Sequence, residues 1–181
     1  RQLPKGRVFP SLRFLRLGGE PVLLSDLELF REHFSPNAQF FNTFGISEAG
    51  GNVAYLRTDR ESAFAGPLLP IGSPSEGQDV FLADDFGKPV PHGEVGEIVV
   101  RSEFLATGYY RRPELTARKF RTSADGRREL WTGDLGHMTP EGWLMHDGRK
   151  DDQVKILGHR VDVAGLEAML HSIPDVREAR V

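Results

Sequence analysis

The 181-residue chain contains no cysteine, which rules out disulfide staples and thiolate metal sites and is compatible with a reducing compartment. It has no apolar run approaching the length of a membrane span and no signal-peptide pattern at its start, so the expectation is a soluble, cytoplasmic protein without membrane insertion. Basic charge is not in excess either. The formal net charge is −3, and the pairs Arg111-Arg112 and Arg127-Arg128 are isolated, which argues against a nucleic-acid partner. The six histidines, at 33, 92, 137, 146, 159 and 171, lack metal-ligand spacing and read as surface or structural residues. No internal repeat or low-complexity segment is present. An initiator methionine is missing, and Val176 to Val181 reads as a strand cut mid-course, so the chain is expected to be a piece of a longer protein.

What is present is a change of texture along the chain. Phe14 to Leu17 is a short apolar run closed by Gly18-Gly19. Leu23, Leu27, Phe30 and Phe34 follow at helical spacing, with Ser25 and Asp26 near the start and Pro36 beyond the end. Gln39 to Phe41 reads as a second strand, and strand, helix, strand is the pattern of an α/β layer with a parallel sheet. From about Ile71, short β segments alternate with turns: Asp79 to Leu82 before Asp84-Asp85-Phe86-Gly87, Glu97 to Arg101 after His92-Gly93-Glu94, and Trp143 to His146 after Glu141-Gly142. These predict a small antiparallel barrel or sheet, with a helical turn over Pro113 to Phe120. A strand pair (Gln153 to Leu157, Arg160 to Val163) and a helix with Leu166, Met169, Leu170 and Ile173 on its apolar face come last. The predicted fold is therefore α/β plus β. It comprises the end of an α/β layered subdomain (1–70), a β-barrel-like subdomain (71–149) and the start of a small α+β lobe (150–181).

The most informative stretch is Trp131-Thr132-Gly133-Asp134, followed by Gly148-Arg149-Lys150-Asp151-Asp152-Gln153-Val154-Lys155. It reads as an acid on a tight glycine turn, an arginine, and a charged, flexible junction into a new unit. An ionised carboxylate only accepts hydrogen bonds and suits a sugar diol, whereas a guanidinium only donates and suits phosphate or ribose oxygens. Together they sketch a nucleotide held at the edge of a movable domain. In Phe44-Gly45-Ile46-Ser47-Glu48, an aromatic able to cover a purine precedes a hydroxyl for phosphate and a carboxylate suited to Mg²⁺.

With Leu17-Gly18-Gly19-Glu20, Asn42 to Glu48, and Gly96-Glu97-Ile98 through Gly108-Tyr109-Tyr110-Arg111-Arg112-Pro113-Glu114-Leu115-Thr116, these segments resemble, in order, the adenylate-forming superfamily. That group comprises acyl-CoA synthetases, adenylation domains of peptide synthetases, and luciferases, and the resemblance covers nearly the whole chain. It implies an ATP-dependent ligase that activates a small carboxylic or amino acid as an acyl-adenylate. The acyl group would then pass to a thiol of phosphopantetheine or CoA, with a carrier-protein domain the favoured acceptor because Gly148 to Lys155 is closest to peptide-synthetase-like modules.

Residue by residue, the resemblance implies that Gly18, Gly19 and Glu20 approach the adenine edge. Asn42, Phe44 and Gly45 would belong to the nucleotide loop, Phe44 against adenine, Ser47 on a phosphate and Glu48 on Mg²⁺. Asp134 would hold the ribose and Arg149 the sugar–phosphate, while Asp151 would be the hinge and Lys155 and Gly158 would sit on the loop facing the thiol acceptor. Plainer roles compete: a core ring for Phe44, a loop hydroxyl for Ser47, a strand-ending turn for Gly18-Gly19-Glu20, a turn or N-cap aspartate for Asp134, a surface ion pair for Arg149, a solvated hairpin for Lys155 and Gly158. On the turn reading of Gly133, Asp134→Asn leaves folding little changed.

Gly45-Ile46-Ser47-Glu48-Ala49 also nearly spells a hydrolase elbow, but that reading leaves Asp134 and the segment from Gly148 onward unexplained. The chain departs from the family pattern at Phe44 (commonly Tyr), Ile46 (Pro in amino-acid-activating members), His146 (often an aromatic), Leu157 (often Arg) and Ala164-Gly165. These departures keep a second class open, a non-catalytic nucleotide-binding or interaction module. The chain contains no Ser/Thr/Gly-rich phosphate loop with its lysine, which the family places upstream of Arg1; its C-terminal catalytic lysine falls beyond Val181. The 181 residues alone are accordingly expected to be inactive.

Overall fold

The structure, a computed structural model, describes residues 6–150, 153–156 and 159–162 together with positions 166, 169, 170, 173 and 176. Strand β1 (Phe14–Gly18) lies parallel to β2 (Gln39–Ile46), and helix α1 (Leu24–His33) connects them. The helix forms where the apolar spacing predicts it. Leu27 and Phe30 are buried, Phe30 packs edge-on against Phe40 at 5.3 Å, and the Asp26 carboxylate accepts the Leu23 N–H at 2.9 Å to satisfy one donor of the first turn. At the other end the backbone becomes extended at Phe34, ahead of Pro36.

Strand β2 runs further than its apolar start suggests. Asn42 to Ile46, expected as a loop, continue the strand, and only Ser47–Ala49 form a tight 3₁₀ turn into β3 (Gly51–Thr58), which pairs antiparallel with β2. The short β4 (Ser73–Pro74) completes a four-stranded sheet in the order β1-β2-β3-β4.

The second sheet is antiparallel and five-stranded. It contains β5 (Asp79–Ala83), β6 (Gly96–Arg101), β7 (Phe120–Thr122), β8 (Arg128–Met138) and β9 (Leu144–Arg149), with helix α2 (Pro113–Lys119) leading into β7. It is an open sheet organised around β8. One edge of β8 pairs with β6; the other pairs with β7 through Arg128 to Leu130 and with β9 through Asp134 to Met138. Every residue of β6 before Arg101 is buried, so the strand is covered on both faces, and each of Ile98, Val99 and Val100 contributes about 1.5–3 kcal/mol by leaving water.

Gly72 ties the two sheets together. Its carbonyl accepts the Leu144 N–H at 3.0 Å, and Ile71 N–H donates to the Leu144 carbonyl at 2.9 Å. One apolar cluster then runs across the join, from Phe44 and Val53 of the first sheet to Ile98, Leu130 and Leu144 of the second. Strands β10 (Gln153–Ile156) and β11 (His159–Asp162) make a separate antiparallel pair close to the predicted one, with Leu157 and Val163 outside the described residues. Leu166, Met169 and Leu170 are helical, as their spacing predicts.

Candidate active site

Gly133-Asp134 is not a turn. It lies in the middle of the eleven-residue β8, where the pairing with β6 passes from Val99 opposite Trp131 to Glu97 opposite Leu135. Thr132, Gly133 and Asp134 thus share the span opposite Ile98, a bulge that the left-handed Gly133 (φ 79°) makes possible. Side chains satisfy the backbone that the bulge takes out of register. Thr132 Oγ1 donates to the Ile98 carbonyl at 2.7 Å and accepts the Asp134 N–H at 3.0 Å. The Glu97 carboxylate accepts the Gly133 N–H at 2.9 Å.

The bulge presents Asp134 to β9, where its direct partner in the register is Arg149. The Asp134 residue is 4% exposed, so a bare charge there would be costly. Arg149 Nη1 meets it at 3.0 Å from Oδ2 and His146 Nε2 at 3.0 Å from Oδ1. The Gly148 N–H donates to His146 Nδ1 at 3.3 Å, which makes Nδ1 the acceptor and puts the imidazole proton on Nε2, facing the carboxylate. The His146 ring also packs on Phe44, with centroids 5.7 Å apart.

These side chains line a cavity of about 580 Å³, whose walls also include Gly19, Glu20, Asn42 and the apolar Val22, Leu69 and Ile71. A largely apolar space with a buried carboxylate, a guanidinium and an imidazole at one side suits a ligand that joins an apolar ring to a polyol. Six of the residues singled out from the sequence therefore converge: Gly19, Glu20, Asn42, Phe44, Asp134 and Arg149.

Others stand outside the lining. Gly18 backs the site, since a Cβ there would come within 2.3 Å of the Thr43 carbonyl oxygen. Gly45 lies against Gly51 in the β2–β3 pairing. Ser47 is exposed in the 3₁₀ turn, and Glu48 Oε1 accepts the Tyr109 hydroxyl at 2.6 Å. Asn42 Nδ2 donates to the Pro70 carbonyl at 2.8 Å, which joins β2 to the segment between the sheets. Lys155 lies in β10, while Asp151 and Gly158 lie outside the described residues. Among the described residues no group of three or more His, Asp or Glu side chains could hold a metal ion by itself.

The charged run expected to be a flexible junction is anchored over its first half. Arg149 ends β9, and Lys150 donates its N–H to the Gly133 carbonyl at 2.8 Å. The Lys150 ammonium reaches Glu97 Oε2 at 3.2 Å and the Asp85 carboxylate. Sequence reasoning missed this contact and the His146–Asp134 hydrogen bond. The only hint was Glu97, a charged residue in an otherwise apolar strand.

The hydrogen bond to Asp85, with the hydrogen bond and charge of Glu97, raises the Lys150 ammonium above its ordinary value of 10.5 against the opposing effect of burial. A raised cation stabilises the fold fully below the unfolded value and loses that contribution as pH rises through the folded one. Lys150→Met should therefore narrow its stability deficit relative to the parent protein only above about pH 10.5, with no change in the deficit across neutral pH. Paired melting curves from pH 7 to 11.5 check this.

The fold is shared with solved adenylation domains. The Vibrio cholerae adenylation domain AlmE, solved in complex with glycyl-adenosine-5′-phosphate, superposes with a TM-score of 0.82 at 27% identity, covering 93% of this chain and 32% of that one. The chain belongs to the AMP-binding enzyme family, whose model matches residues 2–110. Among curated relatives, malpinin synthetase of Mortierella alpina is 38% identical over 175 residues, 94% of this chain and 2% of that protein. A D-alanine–D-alanyl carrier protein ligase of Streptococcus pyogenes is 32% identical over 170 residues, 94% of this chain and 33% of that protein. The chain thus spans a third or less of the length of these relatives.

Proposed function

We propose that this chain supplies the nucleotide-holding wall of an ATP-dependent, AMP-forming ligase acting in the cytoplasm. A substrate carboxylate attacks the α-phosphate of ATP, giving an acyl- or aminoacyl-adenylate and pyrophosphate. The acyl group then moves to a thiol, of a carrier protein's phosphopantetheine or, failing that, of CoA. The observation that carries this reading is the Asp134 carboxylate, fixed by Arg149 and His146 at the side of the cavity that Phe44 also lines. The names of the relatives support it: one ligates D-alanine to a carrier protein, and AlmE is solved with an aminoacyl-adenylate.

In this reading Asp134 accepts the ribose diol. A carboxylate offers about four acceptor directions, so Arg149 and His146 can set its plane while it takes the sugar hydroxyls. Phe44 and Gly19-Glu20 bound the adenine, with Gly18 and Gly45 allowing the strands behind them to approach closely, and Asn42 holds the wall that carries them. Ser47 donates to phosphate. Glu48, a hard oxygen donor held by Tyr109, fits Mg²⁺ as one ligand among phosphate oxygens, and the ion would neutralise phosphate charge there. Catalysis by this part of the protein is then positioning and charge stabilisation, with Arg149 on the sugar–phosphate. Residues 150–181 form the start of a second lobe, with Asp151 as its hinge and Lys155 and Gly158 toward the thiol acceptor.

ATP–pyrophosphate exchange by the full-length protein, screened across amino, aryl and fatty acids, tests the proposal. One acid class should drive exchange and then label a carrier protein or CoA. Absence of exchange with every class, despite ATP binding, would favour a non-catalytic nucleotide-binding module. Residues 1–181 alone should form no acyl-adenylate, because losing transition-state charge stabilisers costs several kcal/mol each, and measurable product from them would overturn the assignment of roles.

A further inference from the structure

We propose that Glu97 and Lys150 form a clamp that holds the Gly133 bulge in the position from which Asp134 accepts the ribose, making Glu97 a positioning residue for the nucleotide. The proposal rests on the ribose-holding reading of Asp134. Both polar groups of Gly133 are engaged by this pair: its N–H donates to Glu97 Oε1 at 2.9 Å, and its carbonyl accepts the Lys150 N–H at 2.8 Å. The two clamping residues are themselves joined, Lys150 Nζ to Glu97 Oε2 at 3.2 Å, and Asp85 holds Lys150 from the solvent side.

The need for a clamp follows from the backbone. Gly133 has no side chain to anchor it and sits at φ 79° within β8, so its backbone has freedom that a residue with a Cβ would lack. Asp134 follows directly, and any rotation there swings its carboxylate away from Arg149 and the cavity. Thr132 Oγ1 holds the Asp134 N–H of the peptide whose carbonyl Lys150 takes, and the Gly133 N–H on the other side of Gly133 is left to Glu97.

The composition of β6 points the same way. Glu97 is 7% exposed in a strand otherwise made of Gly, Ile, Val and a terminal Arg. An ion pair between the buried Glu97 and the half-exposed Lys150 is weak evidence for stability, because solvent screens the one charge and desolvation penalises the other, and an apolar residue would serve a purely structural role as well. What an apolar residue cannot do is accept the Gly133 N–H while bonding the residue that follows Arg149.

The test uses the full-length protein with Glu97→Ala, Glu97→Gln, Glu97→Met and Asp134→Asn. Affinities for ATP and 2′,3′-dideoxy-ATP are measured well below each melting temperature. Glu97→Ala should weaken ATP binding about tenfold while leaving the dideoxy nucleotide, which lacks the diol, nearly unaffected. Glu97→Gln retains an acceptor for Gly133 but loses the charge facing Lys150, so it should fall between. Equal losses for both nucleotides, or none, while Asp134→Asn abolishes the preference for the diol, would overturn the clamp and leave the ribose reading standing. A diol preference that survives in Asp134→Asn would instead overturn the ribose reading, and the clamp with it. If Glu97→Ala does not fold, Glu97→Met decides, since it fills the space without accepting the Gly133 N–H: a loss confined to ATP supports the clamp, and an equal or absent loss rejects it.

Discussion

An Asp134→Asn variant of the full-length protein is expected to bind ATP about ten- to a hundredfold more weakly and also to melt several degrees lower. Asparagine keeps the shape and one carbonyl oxygen but loses the charge and the second acceptor. Hydrogen bonds to a charged group contribute about 1.5–3 kcal/mol, which sets the range for nucleotide affinity. The fall in stability departs from what a turn aspartate predicts. Asp134 is buried within a strand, and the Arg149 side chain that it neutralises is only 11% exposed. Removing one partner of such a pair costs about 3–5 kcal/mol, and the acceptor that Asn retains should hold the loss to the lower end. A merely structural Asp134 would lower the melting temperature and leave ATP affinity unchanged in the folded protein. Titrating nucleotide well below the transition separates the two, and an unchanged dissociation constant would remove the ribose assignment.

The sequence misplaces Gly133-Asp134 as a turn while singling out Asp134, which lines the cavity. The motif reading depends only on residue type and order, and it brought Gly19, Glu20, Asn42, Phe44, Asp134 and Arg149 to what is one cavity. The local reading depends on punctuation. Helix α1 was legible because Leu27 and Phe30 recur at helical spacing with Asp26 at the start, and β5, β6 and the start of β9 because turn residues bound them. Strand β8 was not, since a glycine and an aspartate in its middle look like a turn and mark a bulge instead. Strand β3 was hidden in the same way by Gly50-Gly51-Asn52 at its start.

The contacts that position the site were beyond the sequence for a different reason. Glu97 meets Gly133 across 36 positions and Lys150 across 53. His146 reaches Asp134 only because the β8–β9 register shifts between Leu135 and Gly136. Such pairings depend on which bulge forms, and a one-residue slip would send every one of these side chains to the opposite face.

The largest loss of stability is expected from Gly72→Ala. Gly72 adopts φ 89°, a conformation that costs an L-residue about 1–2 kcal/mol on its own. A Cβ there would also lie 2.1 Å from the Tyr55 carbonyl oxygen and 2.4 Å from the Leu56 nitrogen. Both atoms belong to the backbone of β3, so no rotamer change relieves the clash. One of the two chains must move, and Gly72 is where the first sheet hydrogen-bonds to Leu144 of β9. Displacing it opens the join beside Ile71, a wall of the cavity that Asp134 lines, and exposes the apolar cluster that spans both sheets. A loss above about 4 kcal/mol is expected, a large fraction of the stability of an ordinary domain. Gly142→Ala is the control, because φ there is 84° and a Cβ would meet nothing within 4 Å, leaving only the backbone cost of about 1–2 kcal/mol. Denaturant unfolding of both variants should separate them by at least 2 kcal/mol, with ATP affinity reduced in the Gly72 variant alone. Equal destabilisation would mean that the close approach of Gly72 to β3 does not hold the two sheets together.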